Sequence, residues 1–190
     1  MARTREKTKE DVVDLLVAQH SQIRELFVAA ADATGSERAE ITNRLVRLLA
    51  VHETAEEQAV HPLARQVIPS GDPVVDDRLT EEREAKKMLG RLDGMDPQDE
   101  RFLPLLEELR QAVLEHARRE ERYEFYWLRQ RCSPTQLQAA VEAVRKAERL
   151  APTHPHAGAE SGPANVLAGP VLAIVDRVRD ALRRKPGGDS

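Results

Sequence analysis

The chain has 190 residues, of which 33 are acidic and 29 are Lys or Arg, so its formal net charge is −4 at neutral pH. This mildly acidic balance argues against a nucleic acid as the main partner, because nucleic acids favour a basic surface. With a single cysteine, Cys132, no internal disulfide can form and a reducing compartment is indicated. No segment is apolar enough to be a signal peptide or a membrane span. We therefore expect a cytoplasmic protein with no membrane partner.

Apolar residues recur with a helical period along nearly the whole chain, and no strand pattern stands out. Four long helices are predicted over residues 7–33, 37–67, 74–92 and 100–130. Short segments rich in Gly, Pro and Ser separate them and mark turns. Four such helices predict an all-α, up-down-up-down four-helix bundle over residues 1–131.

Beyond the bundle, the sequence predicts additional C-terminal helices. Ser133, Pro134 and Gln136 form a capping-box start, so an additional helix is expected over residues 132–150. A Pro- and Gly-rich linker follows, and an amphipathic helix is predicted over residues 166–184. Residues 151–190 thus form a third region, whose helix is expected to dock onto the bundle.

Two of the predicted helices carry the same pattern of ionisable and apolar residues. His52 is followed one helical turn later by Glu56, and His116 by Glu120, each pair preceded by apolar residues at matching offsets. Residues four apart lie on one face of a helix, so both pairs are expected to face the bundle interior. The two copies lie 64 residues apart, which indicates two related helical hairpins.

The other two long helices place ionisable residues at matching heights. His20 lies on the apolar face of the first helix and Glu82 on that of the third. Six side chains are therefore expected to converge in the core: His20, His52, Glu56, Glu82, His116 and Glu120. Buried carboxylates need countercharge, and Lys86 is the nearest cationic residue. Two divalent cations would supply it; imidazole and carboxylate ligands favour iron, with zinc or manganese as substitutes.

Neighbouring residues have more than one interpretation. Glu53 either faces solvent or is a bridging ligand. His61, nine residues after His52, is expected to point away from the apolar face, and Glu124 to be exposed. Tyr123 is expected to pack in the core. Two further glutamates either face solvent or orient the histidines: Glu57 and Glu121.

Four segments in order, "AQHSQIRELF", "VHETAEEQAVHP", "TEEREAKKMLGRLD" and "LEHARREERYEFY", resemble the hemerythrin-like, His-His-Glu cation-binding family. The resemblance covers residues 11–131. It implies a four-helix bundle with a non-haem di-iron centre that meets O₂ or related small molecules. It further implies, as ligands, His20, His52, Glu56, His116 and Glu120, with Glu53 as a ligand in some members.

The chain departs from the family at two places. Where a histidine is usual in the third helix, Glu82 stands, with Glu81 and Arg83 as alternative alignments. Where a Tyr or Phe often precedes a proline after the first His-x-x-x-Glu, His61 stands. Anionic oxygen ligands stabilise ferric iron, so the carboxylate-rich pattern does not favour reversible O₂ carriage.

The expected function is therefore to bind or process O₂, peroxide or nitric oxide in a stress response, with an enzymatic activity on peroxide or nitric oxide left open. The alternative is a non-enzymatic iron or oxygen sensor that signals through its C-terminal helix. A metal-free helical bundle is the third interpretation. A homodimer or another protein partner is compatible with each.

Overall fold

The structure is a computed structural model that describes residues 10–93 and 95–150. All secondary structure in these residues is helical, which confirms the all-α bundle with extra helices. The predicted linker and amphipathic helix of residues 151–190 lie outside the described residues. Within the described part, no helix is both long and apolar enough to cross a membrane.

Seven α-helices and two short π-helical segments follow one another along the described chain. The α-helices are α1 (Val12–Asp32), α2 (Gly35–Ala55), α3 (His61–Val67), α4 (Gly71–Asp93), α5 (Phe102–Arg119), α6 (Phe125–Arg131) and α7 (Pro134–Leu150). The first π segment, Glu56–Val60, joins α2 to α3, and the second, Glu120–Glu124, joins α5 to α6. The backbone stays helical through both joins, so α2 with α3 and α5 with α6 form the second and fourth long helices that the sequence predicts.

Local interactions set where helices begin. Asp11 and Asp14 form a reciprocal capping box at the start of α1, with N–H···O distances of 2.9 and 3.1 Å. Helix α4 begins at Gly71, earlier than the predicted residue 74. A Cβ at Gly71 would lie 2.7 Å from the carbonyl oxygen of Arg65, so the tight turn out of α3 requires glycine there.

The apolar core consists of two clusters, one toward each end of the bundle. Leu16 belongs to the first cluster and Ile23 to the second, and His20 lies between them on α1. On α4, Val75 and Ala85 flank Glu82 in the same way. A layer of ionisable side chains therefore crosses the middle of the bundle, at the height that the antiparallel arrangement predicts.

The additional helix α7 is part of this core. Its buried residues, which include Leu137, Val141 and Val144, belong to the same cluster as Leu16. At the helix surface Arg145 pairs with Glu10. Cys132, just before α7, is buried, and burial raises the pKa of its thiol, which is consistent with a structural cysteine.

Candidate metal centre

The six residues predicted as ligands come together in the ionisable layer, and all six are buried. Their ligand atoms form overlapping groups in which all atoms lie within 4.8 Å of one another. The first ligand group contains His20, His52, Glu56 and Glu120. The second ligand group contains Glu56, Glu82 and His116. Glu56 belongs to both groups, as a ligand shared between two cations would.

In the first ligand group the imidazoles aim at a common point. The Nε2 atoms of His20 and His52 are 3.1 Å apart. The Nε2 atom of His20 is also 3.4 Å from Oε2 of Glu120, and that of His52 is 3.4 Å from Oε1 of Glu56. Burial, followed by the neighbouring His20, lowers the pKa of His52 to about 3. His52 is therefore neutral at physiological pH, the form that binds metal.

The other ring nitrogen of each histidine has a partner that fixes its orientation. Nδ1 of His20 donates to an oxygen of Glu121 at 2.9 Å. In the same way, Nδ1 of His52 donates to Gln19 at 2.8 Å, and Nδ1 of His116 donates to Glu81 at 3.0 Å. A carboxylate or amide oxygen can only accept, so Nδ1 carries a ring proton in each, and Nε2 is the atom that the neutral imidazole would offer to a cation. Glu121 thus orients a histidine, one of its two expected roles. Glu57 instead pairs with Lys86.

The buried carboxylates accept few hydrogen bonds from the described residues, although Lys86 lies 3.6 Å from Oε2 of Glu82 and Nε2 of His116 lies 3.4 Å from Oε1 of Glu120. Both oxygens of Glu56 and Glu120 and Oε2 of Glu82 accept no hydrogen bond, and Nε2 of His116 has none either. Burial raises the pKa of Glu56 well above its ordinary value, and that of Glu82 is also raised, against the opposing hydrogen bond from His61. Unpaired buried carboxylates are costly, and bound cations would remove that cost. The nitrogen and oxygen donor set fits iron, with manganese or zinc as substitutes.

The structure distinguishes among the candidate residues of the third long helix. Glu82 is 2% exposed and faces the centre. Glu81, beside it, binds the outer nitrogen of His116, and Arg83 is exposed. The position that faces the other predicted ligands is therefore Glu82, and neither alternative alignment places a side chain in the second ligand group.

Glu53 is buried, with 4% exposure. The interpretation that it faces solvent is therefore wrong. Its Oε2 lies 3.6 Å from Nζ of Lys86. Burial raises the pKa of Glu53 to about 8, an effect that Lys86 opposes. Its side chain lies beside both ligand groups and belongs to neither.

A small cavity lies against the ligand atoms. Its volume is about 20 Å³, and Glu53, Glu82 and His116 form part of its wall. Leu49, Ala112 and other apolar side chains form the rest. A space of roughly 10 to 15 Å³ holds one water molecule, so this cavity has room for about one molecule of that size.

Three positions after the His-x-x-x-Glu pairs differ from the α-helical prediction. His61 is 2% exposed and Glu124 is 1% exposed, although both were expected to point outward. Tyr123, expected in the core, is 44% exposed. With Glu120 and Glu124, His61 forms a third ligand group.

The two π segments explain all three errors. In each segment the backbone N–H bonds five residues back, from His61 to Glu56 and from Phe125 to Glu120. The extra residue rotates the following helix by about 100° relative to a continuous α-helix. Pro62 is a sequence signal for the first irregularity, because a proline inside a helix lacks the N–H that the α-helical pattern requires. An α-helical period alone does not predict either segment.

The described residues thus form a four-helix bundle with a candidate metal centre in its core. Residues 11–128 match the hemerythrin HHE cation-binding domain, which is more than half of the chain. The chain therefore belongs to the hemerythrin HHE cation-binding domain family, as the sequence motifs indicated. The matched residues span α1 through most of α6, and α7 lies beyond them.

Two curated proteins are similar to the chain. A hemerythrin-like protein of Schizosaccharomyces pombe, described as uncharacterized, is 26% identical over 146 residues, which are 76% of this chain and 72% of that protein. A DNA nickase of Nostoc sp. is 24% identical over 132 residues, or 69% of this chain and 37% of the nickase. No solved structure matches the chain.

Proposed function

We propose that the chain holds two iron ions in the ionisable layer and uses them to bind or process O₂, peroxide or nitric oxide. His20 and His52 would hold one ion, Glu82 and His116 the other, and Glu56 and Glu120 would lie between the two. The observation that carries this proposal is the set of unpartnered buried oxygens of Glu56 and Glu120, which face three imidazole Nε2 atoms.

Bound iron would supply electron exchange with small oxygen or nitrogen species, and the chain's own residues would set the conditions for it. The hydrogen bonds to Nδ1 hold three imidazoles in the orientation that ligation needs. The apolar wall formed by Leu49 and Ala112 limits water near the ions. The cavity of about 20 Å³ selects ligands by size.

The size of the cavity also separates this proposal from activity on a nucleic acid. A cavity of about 20 Å³ is smaller than a phosphodiester, so the proposal concerns small ligands. The nickase activity belongs to the Nostoc protein by its name, and this chain covers 37% of that protein. We therefore do not extend that activity to this chain.

The choice among small ligands rests on charge. Glu82 is a carboxylate at the position where a histidine is usual in the family. An iron ion bound by this buried side chain would therefore have an anionic ligand set. Anionic oxygen ligands favour the ferric state, which suits peroxide or nitric oxide chemistry better than reversible O₂ carriage. In the cell, this chemistry would serve the response to oxidative or nitrosative stress.

A sensor is the second candidate function, and one feature of α7 favours it. Gln19 accepts from Nδ1 of His52 at 2.8 Å and donates through Nε2 to Oε1 of Glu148 at 2.7 Å. A helix outside the family match is therefore linked to a ligand of the first group by two hydrogen bonds. Such a link could transmit the occupancy of the site without any turnover.

Metal analysis and an absorption spectrum of protein produced in iron-rich medium test the proposal. We expect two iron ions per chain and the near-ultraviolet absorption of ferric iron. Peroxide consumption by the iron-loaded protein would then favour processing, and its absence with intact iron binding would favour the sensor. Failure to bind iron under these conditions would contradict both functions.

A further inference from the structure

The two halves of the bundle repeat each other down to the irregular turns of the backbone. Each π segment begins at the glutamate of a His-x-x-x-Glu pair, and the second segment lies 64 residues after the first. The short helices that follow, α3 and α6, begin 64 residues apart as well. His61, the first residue of α3, is therefore the counterpart of Phe125, the first residue of α6.

These counterparts contact equivalent positions of the other helices. The ring of Phe125 stacks on that of His20 in α1, with centroids 5.7 Å apart and planes inclined by 13°. The Nε2 atom of His61 lies 2.6 Å from Oε1 of Glu82 in α4. Each of these two contacting pairs thus contains one imidazole. In the first pair it is His20 of the long helix α1, and in the second pair it is His61 of the short helix α3, directly after the first π segment.

We infer that His61 is a ligand of the second cation, where it supplies the imidazole that α4 does not carry. This inference rests on the proposed function. The first ligand group has two histidines, whereas the second has only His116. His61 reaches the second group through its contact with Glu82 and reaches the shared Glu120 within the third ligand group. With His61 included, each cation has two imidazoles.

The ring of His61 presents Nε2 to the ionisable layer, as the other three histidines do, although in this structure its Nε2 donates to Glu82. Its Nε2 atom faces the ligand Glu82, and its Nδ1 atom faces outward to Oε2 of Glu124 at 3.9 Å, without a hydrogen-bond partner. Glu124 is in turn 3.5 Å from Nε of Arg78, which holds its carboxylate at the edge of the layer. Oε2 of Glu82 accepts no hydrogen bond and has Nζ of Lys86 at 3.6 Å, so it remains available to the same ion.

The competing arrangement is an ion pair without metal contact. In it, a protonated His61 donates from Nε2 to Glu82 and acts only as countercharge. His61→Gln separates the two cases, because glutamine can still donate a hydrogen bond to Glu82 but is a poor ligand. Tyr123→Phe, on the exposed face of the second π segment, is the matched control.

The test counts ligated imidazoles in the full chain loaded with two equivalents of Co²⁺. The ring N–H of a histidine bound to paramagnetic Co²⁺ gives a strongly shifted proton signal, and burial protects such a proton from exchange. We expect four shifted ring N–H signals in the parent and in Tyr123→Phe, and three in His61→Gln. Circular dichroism of each variant checks that the helices are intact.

The outcomes separate the inference from the function on which it rests. Three shifted signals in the parent, with two Co²⁺ bound, would overturn the role of His61 and leave the di-metal centre in place. Four signals in both the parent and His61→Gln would also overturn it, because another histidine would then supply the fourth. A parent chain that binds no Co²⁺ and no iron would contradict the proposed function itself.

Discussion

His20 and His52 present their Nε2 atoms to each other at 3.1 Å, although each ring already donates a hydrogen bond through Nδ1. With both protons on Nδ1, two nitrogen lone pairs face each other without a hydrogen between them. Such a contact between two buried acceptors is unfavourable on its own, and a cation between the two atoms would turn it into a pair of bonds. This contact is the geometric basis for the stability prediction below.

Removal of metal should lower the melting temperature. A ligand that binds only the folded state adds RT ln(1 + [L]/Kd), about 4 kcal/mol at a thousandfold excess over Kd. For a chain of this size that corresponds to a shift of roughly 10 °C. Calorimetry of iron-loaded and chelator-treated protein measures it, and equal melting temperatures would count against the site.

Loss of a ligand should reduce the metal content. His52→Ala and His116→Ala each remove an Nε2 atom that no described neighbour replaces, so we expect fewer than two iron ions per chain. Tyr123→Ala is the control, because Tyr123 is exposed, whereas the buried Glu124 is not suitable as one. Metal analysis of the three purified variants measures the effect. Equal losses in all three would mean that the ligand assignment is wrong.

Glu82→His should keep two iron ions and stabilise the ferrous state. The change removes one negative charge from the second ligand group, so the reduction potential should rise and ferrous forms should persist longer. Glu82→Ala should instead weaken one of the two ions. Redox titration together with metal analysis distinguishes these outcomes. If neither variant differs from the parent, Glu82 is not a ligand and the charge argument for peroxide or nitric oxide fails.

Filling the cavity should block small ligands without removing metal. Ala112→Leu adds three carbons to the wall of a space of about 20 Å³, so nitric oxide should bind the iron-loaded protein at least several-fold more slowly. Ala112→Ser, which adds a single atom, should have little effect. Stopped-flow absorption measures both rates. Unchanged binding in Ala112→Leu would show that ligands approach the iron by another route.

The metal-free protein should lose stability as the pH rises from 5 to 8. Burial, followed by the charge of Glu120, raises the pKa of Glu124 to about 7 in the folded state, from an ordinary value of 4.5. The folded chain holds this proton more tightly, so its contribution is present below pH 4.5 and is lost as the pH passes 7. The loss is on the order of a few kcal/mol, and Glu53 adds to it in the same direction.

Urea denaturation of the metal-free protein at several pH values tests this dependence. Glu124→Gln should reduce this dependence, because glutamine has no proton to lose, and should leave the part due to Glu53. Tyr123→Phe should leave it unchanged. If the urea midpoint of the parent protein does not decrease as the pH rises from 5 to 8, the raised pKa values are contradicted.

Much of this architecture follows from period and spacing alone. The His-x-x-x-Glu repeat and the position of His20 predict the ionisable layer, because antiparallel helices of similar length align their midpoints. The same reasoning placed Glu82 inward, and the structure agrees. The sequence could not exclude Glu81 or Arg83 at the inward position, because a shift of one residue rotates the inward face of a helix by about 100°. Only the packing of α4 in the structure excludes them.

The errors have a single physical origin. His61, Glu124 and Tyr123 all lie at or just after the π segments, where the helical period on which the predictions depend is interrupted. The Nδ1 partners Gln19 and Glu81 were also missed, because they are polar residues at the edges of the helix faces and carry no periodic signal. A cytoplasmic location, a homodimer and the helix of residues 166–184 stay predictions.

The hydrogen bonds from His52 through Gln19 to Glu148 have a thermodynamic consequence that runs in both directions. If α7 steadies the imidazole for metal, then bound metal must steady α7 by the same free energy, because coupling between two equilibria is reciprocal. A partner that pulled α7 from the bundle would loosen iron at His52, and iron depletion would make α7 easier to detach. A change in iron availability would thus change how firmly α7 docks, and a change in docking would change how firmly iron is held.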